Sequence, residues 1–583
     1  MIARITAAVI LLVHVISAKD FATLKHLRSN ASPDVQAKAA HDLITRFIGE
    51  RSSSFMVTIN PKLGPAERDT FQITTPANTV NITATTGVAA AMGFYYYLKT
   101  YCGCQITWGG QQLALPAILP NISSTGITIT TNDKFRYYQN VCTVSYSFVW
   151  FQWLDWQKQI DWMAISGINL PLAFTAQEAI FQRVFMRMGF TMEDLQEFFG
   201  GPAFFAWTRM GNIQGWGGPI SQMWLDDQLV LQHRILGRMR DLGMVPVLPG
   251  FAGHVPGSIS RTESHPTDIC VKNYTQNANV SRLDDWAGFN LTYCCTYLLD
   301  FEDPLFEKIG SELIHEMMYE FGVDHIYNAD SFNEMVPKTS DVSYLANAGR
   351  GVYKAMASAD PQAIWLMQGW LFQNTQFWKA PQIKALLTSV EPGRMLVLDL
   401  FSEVAPVFLS TESYYGQPFI WCMLHDFGGT LELYGNLQNV NDGPFFGRTF
   451  PNSTMVGIGL TPEGIFQNEV IYGFMNENAY TKEPREITKW ISDYAKRRYG
   501  GSNQYTEFGW QLLRAGVFDS TDDHWDQGNV LVTQRPQLLP LMSETVWYDP
   551  ELLYKAWDNF ILASDSFSNS SLFRYDLVDV TKE

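Results

Sequence analysis

From residue 135 the chain repeats one rhythm, a short apolar, β-prone run followed by a loop and a helical pattern. The runs fall at 135–142, 168–174, 244–251, 325–334, 363–370, 395–401, 419–424 and 455–460. Amphipathic helical patterns lie between them, at 155–166, 226–242, 309–321, 344–358 and 381–390. Strands separated by helices must pair in parallel through crossovers, and eight of them close into a (β/α)8 barrel. The predicted fold class is therefore α/β, with a central TIM barrel over residues 132–471.

In such a barrel the chemistry sits where strands end. The fourth run, His325-Ile-Tyr-Asn-Ala-Asp-Ser-Phe-Asn-Glu334, opens β-prone and closes on a carboxylate. The eighth, Met455-Val-Gly-Ile-Gly-Leu-Thr-Pro-Glu-Gly464, delivers Glu463 in the same way. Two acids brought over one sugar are what glycoside hydrolysis requires, so Glu334 and Glu463 are the candidate catalytic residues. Asp330 and Glu469 are the nearest rivals. Each glutamate also has a plain reading, Glu334 in a structural ion pair and Glu463 as a turn carboxylate. His254, at the third strand end, serves either a sugar or neighbouring backbone. Trp207, Trp286 and Trp370 line a pocket or belong to the core. Residues 203–218 mix aromatics with Gly and Asn, and read as a lid or sugar-stacking loop rather than a core helix.

Outside the barrel, residues 19–131 read as a small α+β domain. Helices are expected at 37–49 and 87–100, and strands at 55–60, 71–75, 80–85 and 126–131. Residues 472–583 turn helical, at 486–499, 506–515 and 551–564, and suggest an all-α domain that is small or incomplete. Residues 1–18 read as a secretory signal, with Arg4 before an apolar run and Ser17-Ala18 at its end. No later run reaches the length of a membrane span.

The net charge is −17 with no basic cluster, which argues against nucleic acid and suits an acidic compartment. Sequons at Asn81, Asn121, Asn273, Asn279, Asn290, Asn452 and Asn569 support lumenal glycosylation; another, at Asn30, is weakened by Pro33. Of seven cysteines, Cys270 lies near enough in sequence to Cys294 or Cys295 for a disulfide. Cys142 and Cys422 lie in strands and read as buried thiols. No cofactor and no structural metal are expected, and a homo-oligomer is left open.

The runs Phe135-Arg-Tyr-Tyr-Gln-Asn-Val-Cys142, Gly201-Pro-Ala-Phe204, Phe251-Ala-Gly-His-Val-Pro256, Asp330-Ser-Phe-Asn-Glu-Met335, Gln368-Gly-Trp-Leu-Phe372, Trp421-Cys-Met-Leu-His425 and Pro462-Glu-Gly-Ile465 closely resemble glycoside hydrolase family 89. The resemblance runs from about residue 40 to the C-terminus. It implies a lysosomal, retaining exo-glycosidase that removes terminal α-linked N-acetylglucosamine, chiefly from heparan sulfate. It places Glu334 as general acid/base and Glu463 as nucleophile. It also puts Asn140, Cys142, Trp207, Trp286, Trp370, Leu400 and Phe427 around the sugar, with His254 and Asn333 close by. An acid working beside a carboxylate should have its pKa raised, so the raised group is expected at Glu334. Two departures are visible. The family has a longer helical C-terminal region, so apolar helix faces are expected to be exposed and a catalytically impaired, glycan-binding form is the alternative. Relatives place a cysteine where Leu291 stands, so the local disulfide is expected to be rewired to Cys270.

Overall fold

The computed structural model describes residues 21–123, 125–260, 278–283, 285–428, 431–521 and 546–583. The expected signal segment, Cys270 and Asn273 lie outside them. All eight expected barrel strands are present, seven of them shorter than expected: Phe135–Tyr138, Leu170–Pro171, Leu248–Pro249, Ile326–Asn328, Ile364–Gln368, Met395–Asp399, Phe419–Met423 and, at its expected length, Met455–Leu460. They form one parallel sheet, in which the eighth strand pairs with the first. The remaining seam, between the second and third strands, closes through a parallel bridge from Leu172 to Val247, with Val247 N–H donating to Pro171 C=O at 2.8 Å and Ala173 N–H to Val247 C=O at 2.9 Å. The ring is complete.

Alternate residues of every strand fill its interior. Tyr137, Leu172, Val247, Ile326, Leu366, Leu398, Ile420 and Cys422 form one buried cluster, while the outward-facing residues pack under the helices. The eighth strand passes closest to its neighbours. A Cβ at Gly459 would lie 2.8 Å from the Cys422 sulfur, so only glycine fits.

The N-terminal region is a four-stranded sheet, Phe55–Ile59, Thr70–Thr74, Val80–Ala84 and Ile127–Thr130, backed by helices Pro33–Ile48 and Gly87–Tyr101. Ser32 and Thr86 cap those helices by accepting the Val35 and Ala89 N–H groups. Beyond the barrel come helices Ile487–Tyr499, Gln504–Ala515, Pro550–Phe567 and Ser571–Lys582. The last of these is not among the three expected. Tyr554, Ile561, Leu562 and Val578 are exposed. No helix among the described residues is long and apolar enough to cross a membrane.

A buried ion cluster joins the three regions. Arg498 donates twice to Asp576, at 2.6 and 2.7 Å, and its third nitrogen lies 2.8 Å from Glu469, which in turn accepts the Gly109 N–H. Tyr499 hydroxyl also donates to Asp576, at 2.6 Å. Removing one partner from such a cluster strands a charge in a dry interior. Asp576→Ala should therefore cost about 3–5 kcal/mol, read from urea denaturation. A change below about 1 kcal/mol would show that Glu469 alone suffices to pair the guanidinium.

Candidate active site

Strand ends four and eight bring their glutamates near enough for Glu334 to act on the charge of Glu463, and for both to act on Cys142. Glu334 is exposed and held from both sides: Trp286 Nε1–H donates to one carboxylate oxygen at 2.6 Å, and Trp370 Nε1–H to the other at 3.3 Å. The preceding residue, Asn333, has a φ of +30°, a region that asparagine tolerates better than most side chains. Its amide rests against Met210 sulfur at 2.7 Å, which ties the strand end to the loop after strand two.

Glu463 is set by backbone. Its own N–H donates to Asp426 C=O at 3.0 Å, and the Gly464 N–H to Asp426 Oδ2 at 2.8 Å. Asn140 Nδ2–H donates to Thr461 C=O at 3.1 Å, Thr143 hydroxyl to Pro462 C=O at 2.7 Å and Thr461 hydroxyl to Leu400 C=O at 2.9 Å. The turn carrying Glu463 is thus pinned by strands one, six and seven. Burial pushes the Glu463 carboxyl up to about 8, helped by the negative charges of Asp426 and Glu334 and opposed by a hydrogen bond from the Cys142 thiol. A raised carboxyl is thus found at Glu463, which lies against protein and beside two further carboxylates. The Cys142 thiol is pushed well up, by burial first and then by both glutamates.

The walls are aromatic. Trp207 stands 6.5 Å from Trp286, and Trp370 is 5.9 Å from Phe427, which meets Phe401 at 5.3 Å. Leu400 and Cys142 are buried beneath, in the barrel's interior cluster, with Trp207 and Trp370 packed on it. Residues 203–218 are not wholly a loop: Phe205–Arg209 is a short helix with Phe205 and Ala206 buried, and it aims Trp207 at the pocket. His254 is buried, with Nδ1 3.3 Å from Arg209 C=O, and desolvation lowers it to about 4, so it is neutral beneath that helix.

Two residues of the site carry no signal in a strand-end reading. Asp426 needs the turn after strand seven to be known. Tyr146 lies on a π-helical turn, Val144–Phe148, after strand one. Burial and then the charge of Glu463 push its phenol up; Cys142, Asp426 and Glu334 also act on it, and its ring meets Trp207 edge-on at 5.4 Å. Rarity of the π turn hides it from helical periodicity.

Cys142 and Cys422 are buried free thiols, as read from the sequence. Cys294 is bonded to Cys295, its neighbour, while the pairing with Cys270 falls outside the described residues. The sequon residues Asn121, Asn279, Asn290, Asn452 and Asn569 are exposed, and Asn81 is half-buried.

The profile of the "Alpha-N-acetylglucosaminidase (NAGLU) tim-barrel domain" matches residues 136–482, and those of the N- and C-terminal domains of the same family match 38–121 and 490–583. The chain belongs to the α-N-acetylglucosaminidases of glycoside hydrolase family 89. Human alpha-N-acetylglucosaminidase is 46% identical over 554 residues, 94% of this chain and 72% of the human protein. A family 89 glycoside hydrolase from Clostridium perfringens, solved with 2-acetamido-1,2-dideoxynojirimycin, superposes with a TM-score of 0.84 at 28% identity, over 94% of this chain and 60% of its own. The chain thus spans well under two thirds of that bacterial relative. A variant of the bacterial enzyme with two Glu-to-Gln substitutions, solved with its substrate GlcNAc-α-1,4-galactose, superposes equally well at 27% identity.

The raised Glu463 carboxyl has a consequence for stability in this family 89 chain. A carboxyl whose pKa is higher folded than unfolded stabilises the fold fully below the unfolded value, 4.5, and loses that contribution as pH rises through about 8. Glu463→Gln removes this dependence. Its melting temperature relative to the parent should therefore rise between pH 4.5 and pH 8, measured by differential scanning calorimetry; a constant difference would mean that Glu463 ionises normally.

Proposed function

We propose that the chain is a retaining exo-α-N-acetylglucosaminidase in which Glu463 attacks the sugar and Glu334 serves as acid and then base. The observation that carries this reading is the convergence of the two strand-end glutamates in one aromatic pocket, electrostatically coupled to each other. Family membership and the doubly substituted bacterial enzyme bound to an α-linked N-acetylglucosaminide support it.

The substrate's geometry requires a protein nucleophile. In an α-glucosaminide the 2-acetamido group lies on the same side as the leaving oxygen and cannot reach C1 from the rear. A carboxylate on the opposite face must do so, giving a glycosyl–enzyme ester, and retention places the two carboxyls roughly 5–5.5 Å apart. Glu334 gives its proton to the departing oxygen, then takes one from the water that cleaves the ester.

The pair must carry one proton and one negative charge. Burial and the charges of Asp426 and Glu334 raise the Glu463 carboxyl, which keeps a proton on the pair. Positive charge developing at C1 then favours the ionised form of Glu463, so the proton is held by Glu334 when it is needed. The indoles of Trp286 and Trp370 fix Glu334 in place for that transfer.

We extend the reading to heparan sulfate-type glycans, a glycosylated protein and the lysosome. A pocket that takes one neutral terminal sugar needs no basic groove, which reconciles a net charge of −17 with a polyanionic chain.

Hydrolysis of aryl α-N-acetylglucosaminides at pH ~4.5, near ordinary carboxylate values, tests the assignment. Glu334→Ala should lose about 10²–10⁴-fold on a poor leaving group, recover on a dinitrophenyl glycoside that needs no acid, and form a glycosyl azide when azide is added. Glu463→Ala should be inactive on both substrates. A folded parent without activity would leave glycan binding as the function, and equal behaviour of the two variants would reverse neither role but remove both.

A further inference from the structure

The turn that brings Tyr146 into the pocket continues to a side chain with no evident structural duty. Phe148, Phe151 and Trp156 anchor this stretch, with ring centroids 4.8 Å apart for Phe148–Phe151 and 5.1 Å for Phe148–Trp156. Trp150 lies within that anchored segment yet is 66% exposed. Its ring is steadied edge-on by Trp224, 5.8 Å away at 82°, and Trp224 rests on Phe205, 6.4 Å away. Trp224 belongs to the first turn of helix Gln222–Asp241, and Trp150 precedes helix Trp153–Ile165. Helices of a (β/α)8 barrel begin at the face where strands end, so this indole shelf stands on the rim of the active-site face.

The shelf is continuous with the pocket wall. Tyr146 is one turn upstream of Trp150 and touches Trp207 at 5.4 Å, and Phe204, beside Phe205, meets Trp207 at 6.3 Å. The exo pocket takes a single terminal sugar, so whatever that sugar is attached to must leave over the rim. A held, solvent-facing indole offers the flat apolar surface onto which the C–H face of a pyranose stacks.

Resting on the reading above that the chain cleaves terminal α-linked N-acetylglucosamine, we propose that Trp150, steadied by Trp224, forms a leaving-group subsite for the next pyranose of the glycan. The subsite binds that sugar through its apolar face and contributes no proton and no charge. It acts on disaccharides and longer chains and is silent towards substrates whose leaving group has no ring.

The test compares kcat/KM of the full chain and of Trp150→Ala on two substrates, GlcNAc-α-1,4-galactose and α-N-acetylglucosaminyl fluoride. The variant should lose about 3- to 10-fold on the disaccharide, the range of a single aromatic stack, and nothing on the fluoride. Trp150→Phe should restore most of the loss, and melting temperatures should coincide. An equal loss on both substrates, or no loss on the disaccharide, overturns the subsite. So does a sedimentation coefficient that falls in Trp150→Ala, which would make the shelf a contact between copies of the chain. A parent that turns over neither substrate refutes the proposed activity instead. The subsite is then read from tryptophan fluorescence titrated with the disaccharide, and equal affinity of parent and variant overturns it.

Discussion

Everything at the active site depends on the closure of the strand ring. Glu334 and Glu463 belong to strands four and eight, half the circumference apart, and would never meet on an open sheet. The seam at which the chain could have stayed open, between strands two and three, is sealed by backbone bonds from Val247 to Pro171 and from Ala173 to Val247. Parallel ladders have no exposed edge once closed, and the interior then fills with one cluster from Tyr137 to Cys422. Leu400 and Cys142 both belong to that cluster, so the packing of the barrel interior reaches the candidate site.

The second constraint is electrostatic. Asp426 and Glu334 both raise Glu463 by their charge, and no arginine or lysine among the described residues features among the causes acting on it. Some buried acids elsewhere are treated differently: Glu477 is held down to about 2 with Lys99, Arg485 and Arg497 beside it, and Asp576 is gripped by Arg498, whereas burial raises Glu403 to about 8 as it does Glu463. The acids that join domains are paired with cations, while at the candidate site burial and neighbouring carboxylates favour the protonated form of Glu463.

The barrel was legible because its signal is repeated: eight apolar runs each precede a helical pattern, and the runs at 419–424 and 455–460 differ from the strands by at most one residue. Runs such as 168–174 and 325–334 overreach, because residues at their C-terminal ends leave the sheet yet stay buried. At the other end of the fourth run, His325 has a φ of +63° that takes it out of the strand it seemed to open. The two glutamates and their neighbours were legible through strand ends and family resemblance. Tyr146, Asp426 and the direction of the Glu463 shift were not, since each arises from a turn geometry or from burial by residues distant in sequence. The Phe205–Arg209 helix was obscured by glycines downstream of it.

The π-helical turn Val144–Phe148 packs an unusual number of obligations into five residues. Ser145 hydroxyl accepts the Ala206 N–H at 3.1 Å, Tyr146 faces Trp207 and Glu463, and Ser147 hydroxyl accepts the Ile465 N–H at 3.1 Å. One turn thus splints the loops that follow strands one, two and eight. Such a splint makes the site hard to alter piecemeal: a substitution there shifts three loops together, so divergence in substrate choice within this lineage is channelled outward, to rim positions that carry no such shared load.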